Sequence, residues 1–275
     1  MMEILQNVLK MMDRQMRTPQ VFGWFHIASL ILTVLVTVGL CYHHKNDSPK
    51  RVRLVVLATA VLVTLAEIYK QINYSFSYTN GINFDYQWYA FPFQFCSTPM
   101  YVGLLAGVLP KGKLQDALYA YLATFAVFAG TCVMIYPGDV FVDTMGINVQ
   151  TVICHASMIC VGAYLFYTGT VKLEHRTIIK AMAVFACTVS MAVLFNEIAY
   201  WTGLLERETF NMFFISRHCA PSLPVYSAVQ AVVPYPWCLL IYILGFTLAS
   251  YLILLLAMSV QKISLLNVKK VKIRA

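Results

Sequence analysis

Cys96 and His155 carry the side chains best suited to covalent catalysis in this sequence. A thiolate is a nucleophile, and an imidazole, which titrates near neutral pH, can remove the proton from a thiol. Together they would suit acyl transfer through a thioester. Each residue also has an ordinary explanation, because free cysteine packs well in apolar helices and a buried histidine often bonds only a backbone carbonyl. The elements that carry the two residues decide between these interpretations.

Hydrophobic residues make up 60% of the 275-residue chain and charged residues 12%, with a mean hydropathy of +0.68. Soluble domains carry about 25% charged residues, so the composition argues against a water-soluble enzyme. Lysine and arginine exceed aspartate and glutamate by 20 to 12. Since the excess lies in loops and at the C-terminus, it indicates orientation in a membrane, and we expect no nucleic-acid partner.

The hydrophobic residues fall into seven runs, each long enough to cross a bilayer as a helix. The runs lie at residues 22–43, 52–71, 91–110, 114–136, 149–171, 177–201 and 235–260. The sequence therefore predicts an all-α fold, a polytopic seven-transmembrane helix bundle over residues 21–262. Residues 263–275 are predicted to form a basic cytoplasmic tail.

The N-terminal segment, residues 1–20, is predicted to lie along the membrane surface as an amphipathic helix. Its apolar residues share one helical face: Leu5, Val8, Leu9, Met12 and Met16. Most of the 20 basic residues lie at 45–53, 111–113, 172–180 and 262–274. Because cytoplasmic loops collect basic residues, we expect the N-terminus outside and the C-terminus in the cytoplasm.

Several polar residues lie at a similar depth inside the predicted spans: His26, Glu67, Cys96, His155, Asn196 and Glu197. At ~1.5 Å per helical residue, all lie within about 6 to 9 Å of the outer boundary. An ionisable residue in a spanning helix costs about 3 kcal/mol or more unless it faces protein or water. We therefore expect a polar cavity that opens outward. A simple ion pair with Lys70 is the alternative for Glu67.

The third run indicates which way the thiol points. Cys96, Met100, Gly103 and Gly107 would share one helical face. Gly103 and Gly107 form a GxxxG pair, which in membranes marks close packing against another helix. We therefore expect Cys96 to face the bundle. Pro99 cannot donate a backbone hydrogen bond, so we also expect a kink beside the thiol and a free carbonyl.

The connection at residues 203–234 is the longest and holds Asn211 and Arg217. Its phenylalanines, at 210, 213 and 214, argue against disorder and favour a lid over the mouth of the cavity. Arg217 would suit a lipid phosphate in such a lid, and a solvated loop charge is the alternative.

Metal binding is a less favoured interpretation of the same polar residues. Two histidines, a carboxylate and a thiolate would suit zinc, but they come from separate helices without the spacing of a zinc motif. We therefore expect no metal and no other cofactor. The eight cysteines show no paired spacing, so most are interpreted as buried small side chains.

Short stretches along nearly the whole chain resemble one family of membrane proteins. They are FGWFHIASLI, LAEIYK, FPFQFCS, ICHASMICVGAYLF, NMFFISRHCAPSLPV and PYPW. The family comprises the YwaF-like bacterial integral membrane proteins and their vertebrate relative, transmembrane protein 164. The resemblance implies a multi-pass protein of a bacterial cell membrane.

The same resemblance implies a phospholipid acyltransferase, in which a cysteine of the third span takes an acyl group from one lipid and passes it to a lysophospholipid. Cys96 matches the family's cysteine and His155 its histidine. Many bacterial members carry a histidine two residues before the cysteine, where this chain has Gln94. Membrane phospholipids and lysophospholipids are therefore the expected partners, and the identity of the general base stays open.

Our hypothesis is acyl transfer or hydrolysis on a membrane lipid, with Cys96 as nucleophile and His155 as base. Glu67 or Asn196 would orient the imidazole or the substrate, and Gln94 or backbone N–H groups would stabilise the oxyanion. The remaining candidates for substrate binding or orientation are His26, Glu197, Asn211 and Arg217. The main alternative is a transporter or ligand-binding membrane protein with a non-catalytic polar cavity, and a scaffold with an inert polar cluster is another.

Overall fold

The computed structural model describes residues 2–43, 46–77, 82–203, 210–220 and 223–274. Its α-helices are α1 (Met2–Met12), α2 (Trp24–His43), α3 (Pro49–Asn73), α4 (Thr98–Val108), α5 (Lys113–Tyr121), α6 (Val127–Ile135), α7 (Met145–Tyr167), α8 (Arg176–Thr202), α9 (Pro224–Gln230) and α10 (Tyr235–Arg274). A π-helical stretch, Leu122–Ala126, joins α5 to α6, and the short strands β1 (Phe76–Ser77) and β2 (Asn83–Phe84) pair antiparallel. Short 3-10 helices cover Trp88–Ala90 and Met212–Phe214.

Six helical segments of the described chain are long and apolar enough to cross a membrane: α2, α3, the continuous α5–α6 segment, α7, α8 and α10. They correspond to six of the seven predicted runs, so the predicted all-α architecture is confirmed. The predicted count of seven full spans is not confirmed. The last helix also continues through most of the predicted tail, to Arg274.

The third predicted run, residues 91–110, is not one spanning helix. Residues 91–97 are irregular, and α4 has 11 residues. This length gives about 16 Å of helix against a hydrocarbon core of about 30 Å. Pro92 explains the interruption, because proline disfavours the helical conformation in the residue before it. Phe91 accordingly has an extended backbone, with φ −48° and ψ 135°.

The helix α4 packs tightly along α3 through its two glycines, as the GxxxG pattern predicts. A Cβ built on Gly103 would lie 3.0 Å from the Ala60 Cβ, and one built on Gly107 would lie 2.7 Å from the Leu57 Cβ. The Arg53 side chain donates to the Gly107 carbonyl at 2.7 Å. Small residues permit such close approach of helix backbones. The end of α4 is therefore held beside the beginning of α3.

The helices alternate in direction, so their connections gather at two ends of the bundle. The late α3 residue Glu67 contacts the early α7 residue Gln150, and early α2 contacts late α6 through His26 and Met134. We call the end with the connections α3–α4, α6–α7 and α8–α10 the site end. The opposite end, where α3, α5 and α8 begin, is the basic end.

The core of the bundle lies along the α5–α6 segment and α7. Their apolar windows are 67% and 56% buried, against 17% for α2 and α10 at the periphery. Gly162 of α7 lies directly against the π-helical stretch, and a Cβ built on Gly130 of α6 would lie 2.6 Å from the His155 carbonyl oxygen. These small residues bring the two central elements together and set the rotation of α7.

The N-terminal segment is tied to the site end by backbone hydrogen bonds. The Met16 N–H donates to the Asp143 carbonyl at 2.6 Å, and the Met145 N–H donates to the Arg14 carbonyl at 2.9 Å. The Tyr69 hydroxyl of α3 also donates to the end of α1. The helix α1 covers Met2–Met12 of the predicted segment 1–20, and its location at a membrane surface stays a prediction.

Candidate functional site

Cys96 lies in a turn before α4 and not inside a helix. The Gln94 carbonyl accepts hydrogen bonds from the N–H groups of Ser97 at 2.9 Å and Thr98 at 3.2 Å. Residues 94–98 therefore form one helical turn ahead of α4. The N–H groups at the start of such a turn have no partner within it. Among the described residues, no backbone carbonyl accepts the N–H groups of Phe95 and Cys96.

The kink expected at Pro99 is absent, because this proline stands in the first turn of α4. Proline is well tolerated there, since the first N–H groups of a helix lack intrahelical partners anyway. The Phe95 carbonyl, which was expected to be free, accepts the Thr98 hydroxyl at 2.9 Å. The helix α4 begins at Thr98, so Cys96 lies two residues before its first residue.

Glu67 is buried and fully surrounded by donors. The Lys70 ammonium lies 2.7 Å from its Oε1 atom, and the Gln71 side-chain amide donates to the same oxygen at 2.8 Å. The Gln150 amide of α7 donates to Oε2 at 3.3 Å. The pairing with Lys70 is confirmed, and it removes most of the cost of burying the carboxylate.

This charged pair stands beside two cysteines. The Cys154 thiol of α7 lies 3.6 Å from the Cys96 carbonyl oxygen, within reach of a weak hydrogen bond. Glu67 and Lys70 are close enough to both thiols to act on them electrostatically. The turn that holds Cys96 is therefore in contact with α7 and under the influence of an ion pair.

His155 is buried on α7 with one ring nitrogen occupied and the other unoccupied. Its Nδ1 atom lies 2.7 Å from the Thr151 carbonyl oxygen. Since a carbonyl only accepts, Nδ1 carries the proton in the neutral ring and Nε2 offers a lone pair. Nε2 is buried and bonds no partner among the described residues. The thiol of Cys96 and this imidazole are thus not hydrogen bonded to each other.

His26 differs, because both of its ring nitrogens are occupied. Nδ1 accepts the Phe22 N–H at 2.9 Å, and Nε2 donates to the Met134 carbonyl at 2.8 Å. The residue is 1% exposed and joins the start of α2 to the end of α6. These contacts describe a structural histidine.

Three amide side chains, which we call the amide clamp, fix the segment 210–216: Gln94 and Asn196 bind it to the bundle, and Asn211 bonds within it. Gln94 donates to the Asn211 carbonyl at 3.0 Å and accepts the Phe213 N–H at 2.9 Å. Asn196 donates to the Met212 carbonyl at 3.1 Å and accepts its N–H at 2.7 Å. Asn211 accepts the N–H of residue 216 at 2.9 Å. Both side-chain groups of Gln94 are therefore occupied and not directed at an oxyanion.

The clamped segment lies over the residues beside the thiol. Phe213 stacks on Phe95 with ring centroids 5.7 Å apart, and the Tyr242 hydroxyl donates to its carbonyl at 3.1 Å. Phe213 and Phe214 adopt left-handed backbone conformations, with φ of 58° and 57°. Such conformations are strained for bulky residues and persist only where surrounding contacts hold them. The amide clamp and the aromatic packing supply those contacts.

Glu197 belongs to a separate cluster at the surface. The Arg217 guanidinium binds it through two hydrogen bonds of 2.9 Å, and His218 Nε2 lies 3.2 Å from the carboxylate. The carboxylate raises the pKa of Arg217 above its usual value by hydrogen bonding to the charged form. The Trp201 indole donates to the same carboxylate at 3.1 Å. Arg217 is therefore paired within the protein and not a free loop charge.

The predicted polar layer is thus divided among four sets of contacts, centred on Glu67, His26, the amide clamp and Glu197. A groove of about 440 Å³ opens beside the first set, between α3, the β-hairpin and the start of α4. Its lining includes Glu67, Gln71, Phe76, Phe84, Met100 and Tyr101. Cys96 lies in the chain between two lining residues, Pro92 and Met100, and is not itself part of the lining.

Sequence reasoning missed several members of the first set. Gln71 follows Glu67 by four residues, a spacing that places the two side chains on one helical face. Cys154 and Gln150 likewise lie on one face of α7, and their polarity within an apolar run was the available signal.

In the described part of the chain, no group of three or more histidine, cysteine, aspartate or glutamate residues is arranged to hold a metal ion.

The long apolar helices define a multi-pass integral membrane protein. A family model, that of the TMEM164 family, matches residues 21–257. The match covers all six spanning segments except the end of α10, and the chain belongs to the TMEM164 family. Neither the curated proteins nor the solved structures contain a match to the chain.

Proposed function

We propose that this protein transfers acyl groups between membrane lipids through a thioester on Cys96. The observation that carries the proposal is the position of the thiol at the entrance of a helical turn. The N–H groups of Phe95 and Cys96 bond no backbone carbonyl in the described residues. Free N–H groups at such a position stabilise a thiolate and the oxyanion of a tetrahedral intermediate. They replace Gln94 in the role of oxyanion donor.

His155 is the base in this proposal. Its Nε2 lone pair is unoccupied, and Thr151 holds the tautomer in which Nε2 can accept a proton. The preceding residue on α7, Cys154, contacts the Cys96 carbonyl. Proton transfer requires a direct hydrogen bond or one bridging water between the two groups. We infer that substrate binding brings the thiol and imidazole into that relation.

The groove beside Glu67 suits a lipid substrate. Its walls are mainly apolar, as an acyl chain requires. Its polar members are the side chains of Thr64, Glu67, Gln71, Ser75 and Tyr101. Lys70, paired with Glu67 at the same place, supplies a cation near the ester and headgroup region. The lipid would therefore lie with its chain against α3 and α4 and its ester near the turn at residue 96.

The proposed reaction has two steps. In the first, the thiol proton moves to His155, a bond forms between sulfur and the acyl carbon, and the ester C–O bond breaks. The departing lysophospholipid takes the proton from the imidazolium. In the second, the hydroxyl of another lysophospholipid gives its proton to His155 and attacks the thioester, and the thiolate leaves and is reprotonated. Water in place of the second lysophospholipid would give hydrolysis.

The test is acyl exchange by the purified protein in liposomes. The donor is a mixture of phosphatidylethanolamine and phosphatidylglycerol with deuterated acyl chains, and the acceptor is unlabelled lysophosphatidylethanolamine. We expect Cys96→Ala to reduce transfer at least about 100-fold, since the covalent route is lost. Cys187→Ala, which changes an exposed cysteine of α8, is the matched control and should stay within about twofold of wild type.

A second measurement examines the intermediate itself. Wild-type protein incubated with the donor alone should carry a deuterated acyl group that hydroxylamine releases, and Cys96→Ala protein should carry none. Transfer by Cys96→Ala at the wild-type rate, or a labelled acyl group on another cysteine, would overturn the proposal.

A further inference from the structure

The basic end of the bundle contains a second cavity, unrelated to the polar layer. It has a volume of about 720 Å³ and lies where α3, α5 and α8 begin. Its walls come from the connections before these helices and from their first turns, and the lining does not include Lys113 or Arg176. A volume of this size is within the range of small-molecule sites. The proposed function does not use this cavity.

Positive side chains surround the cavity from four parts of the chain. They are Lys50 and Arg53 on α3, Lys111 before α5, Lys172 before α8 and Lys180 on α8. Two carboxylates, Asp47 and Asp116, also line the cavity. Asp47 already accepts the Tyr164 hydroxyl at 2.8 Å and lies 3.6 Å from the Arg51 guanidinium. The cavity therefore has a clear excess of positive charge.

None of the four lysines that line the cavity forms an ion pair with a carboxylate of the described residues. Arg53 is fixed in place by the carbonyls of Gly107 and Val108, at 2.7 and 3.2 Å. A membrane orientation signal requires only that basic residues lie on one side. It does not require them to converge on one concave space, so the convergence indicates a ligand.

The backbone adds to the positive electrostatic potential of the cavity. The helices α5 and α8 begin at the cavity, and neither has a side chain that caps its first N–H groups. In α8 the N–H groups of Thr177 and Ile178 bond the carbonyls of residues 174 and 175, so the free donors are those at the start of α5. Uncapped helix starts carry partial positive charge and free donors, which bind phosphate oxygens.

We propose that this cavity binds a phosphate group of a ligand, either the headgroup of an anionic phospholipid or a soluble phosphorylated compound. Convergent ammonium groups, a fixed guanidinium and the free N–H groups at the start of α5 form the chemistry that recognises phosphate. The two sources share this chemistry and differ in whether acyl chains accompany the phosphate.

The test uses the full-length protein in nanodiscs of phosphatidylcholine. Two probes are titrated by calorimetry: inorganic pyrophosphate and dioctanoyl phosphatidic acid. We expect saturable binding of at least one. Tighter binding of the lipid would identify a headgroup site, and tighter binding of pyrophosphate would identify a soluble ligand. Absence of saturable binding by both probes would overturn the proposal.

Variants assign the binding to the cavity. The double change Lys111→Gln with Lys172→Gln should weaken binding about tenfold or more, because two charge-assisted contacts are lost. Lys113→Gln with Arg176→Gln removes the same charge at the same end but outside the lining, and should change binding less than about twofold. Equal loss in both pairs would show a general surface effect and refute the site. Lys50→Gln with Lys180→Gln, a second pair in the lining, should reproduce the first result.

Discussion

The two buried histidines at the site end of the bundle have opposite hydrogen-bonding states. His26 uses both ring nitrogens to join α2 to α6, and Asn196 of the amide clamp likewise matches both of its side-chain groups to the backbone of Met212. His155 uses one nitrogen and leaves the other buried without a partner among the described residues. We call the first region the satisfied region and the second, with Cys96 and its free N–H groups, the unsatisfied region.

The difference between the two regions lies in how completely their buried polar groups are hydrogen bonded. An unpaired buried polar group costs about 1–3 kcal/mol, so a protein interior normally matches such groups. Inside a bilayer the penalty is harder to avoid, because water is scarce. In the proposed reaction, the unmatched groups of His155 and of the turn at residue 96 are those whose missing partner the substrate supplies. Satisfied groups at the same depth indicate scaffold.

His155→Gln gives the largest expected effect and acts on the unsatisfied region. If His155 is the base of the proposed reaction, acyl transfer should fall about 10²–10⁴-fold, the usual contribution of general base catalysis. The free energy of unfolding should change by less than about 1 kcal/mol, since a single hydrogen bond, to Thr151, is at risk. Liposome transfer assays and unfolding in mixed micelles measure the two quantities. A wild-type rate would remove His155 from the mechanism.

Asn196→Ala should destabilise the protein by about 2–4 kcal/mol, because it leaves the N–H and the carbonyl of Met212 buried and unmatched. Unfolding of the purified protein in mixed micelles measures the change. Ser190→Ala on the same helix is the control, since its exposed hydroxyl bonds a carbonyl of its own helix, and it should stay within about 0.5 kcal/mol. Similar stability of the two variants would contradict the role of the amide clamp.

His26→Leu should cost about 1–3 kcal/mol of unfolding free energy, because the Phe22 N–H and the Met134 carbonyl lose their partner. The rate of acyl transfer per folded molecule should be unchanged. Quantifying the folded fraction before each assay separates the two effects. A large loss of rate at full stability would move His26 from the satisfied region into the reaction.

Arg217→Gln gives the smallest expected effect. Its guanidinium is half-exposed and already bound by Glu197, so the melting temperature and the KM for the lipid acceptor should stay close to those of wild type. Thermal unfolding and steady-state kinetics check both values. A several-fold increase in KM would show that Arg217 leaves Glu197 to bind a lipid phosphate.

The sequence predicted the spanning helices well because hydrophobic length is a local property. The first run, 22–43, became α2 at Trp24–His43, and the run 177–201 became α8 at Arg176–Thr202. The close packing at the GxxxG pair was also predicted, since the spacing alone places both glycines on one helical face. The third run failed because hydropathy does not register the two prolines, Pro92 and Pro99, which confine the helix to α4.

The sequence predicted the depth of the polar residues along their helices, but it could not predict their hydrogen-bond partners. Counting residues along each helix places Glu67, His155 and Asn196 at a similar height. Their partners depend on helix rotation and lateral order, which are set by contacts such as that of Gly130 with the His155 carbonyl. The pairing of Asn196 with Met212 further depends on how a loop folds back over the bundle.

Composition and run length thus established from the chain alone that this is an all-helical membrane protein with polar residues near one face. The tertiary structure divided those residues into scaffold and candidate chemistry and gathered the lysines around one cavity. The physical reason is that burial in a bilayer depends on each segment's own hydrophobicity, whereas hydrogen bonding inside it depends on which segments meet.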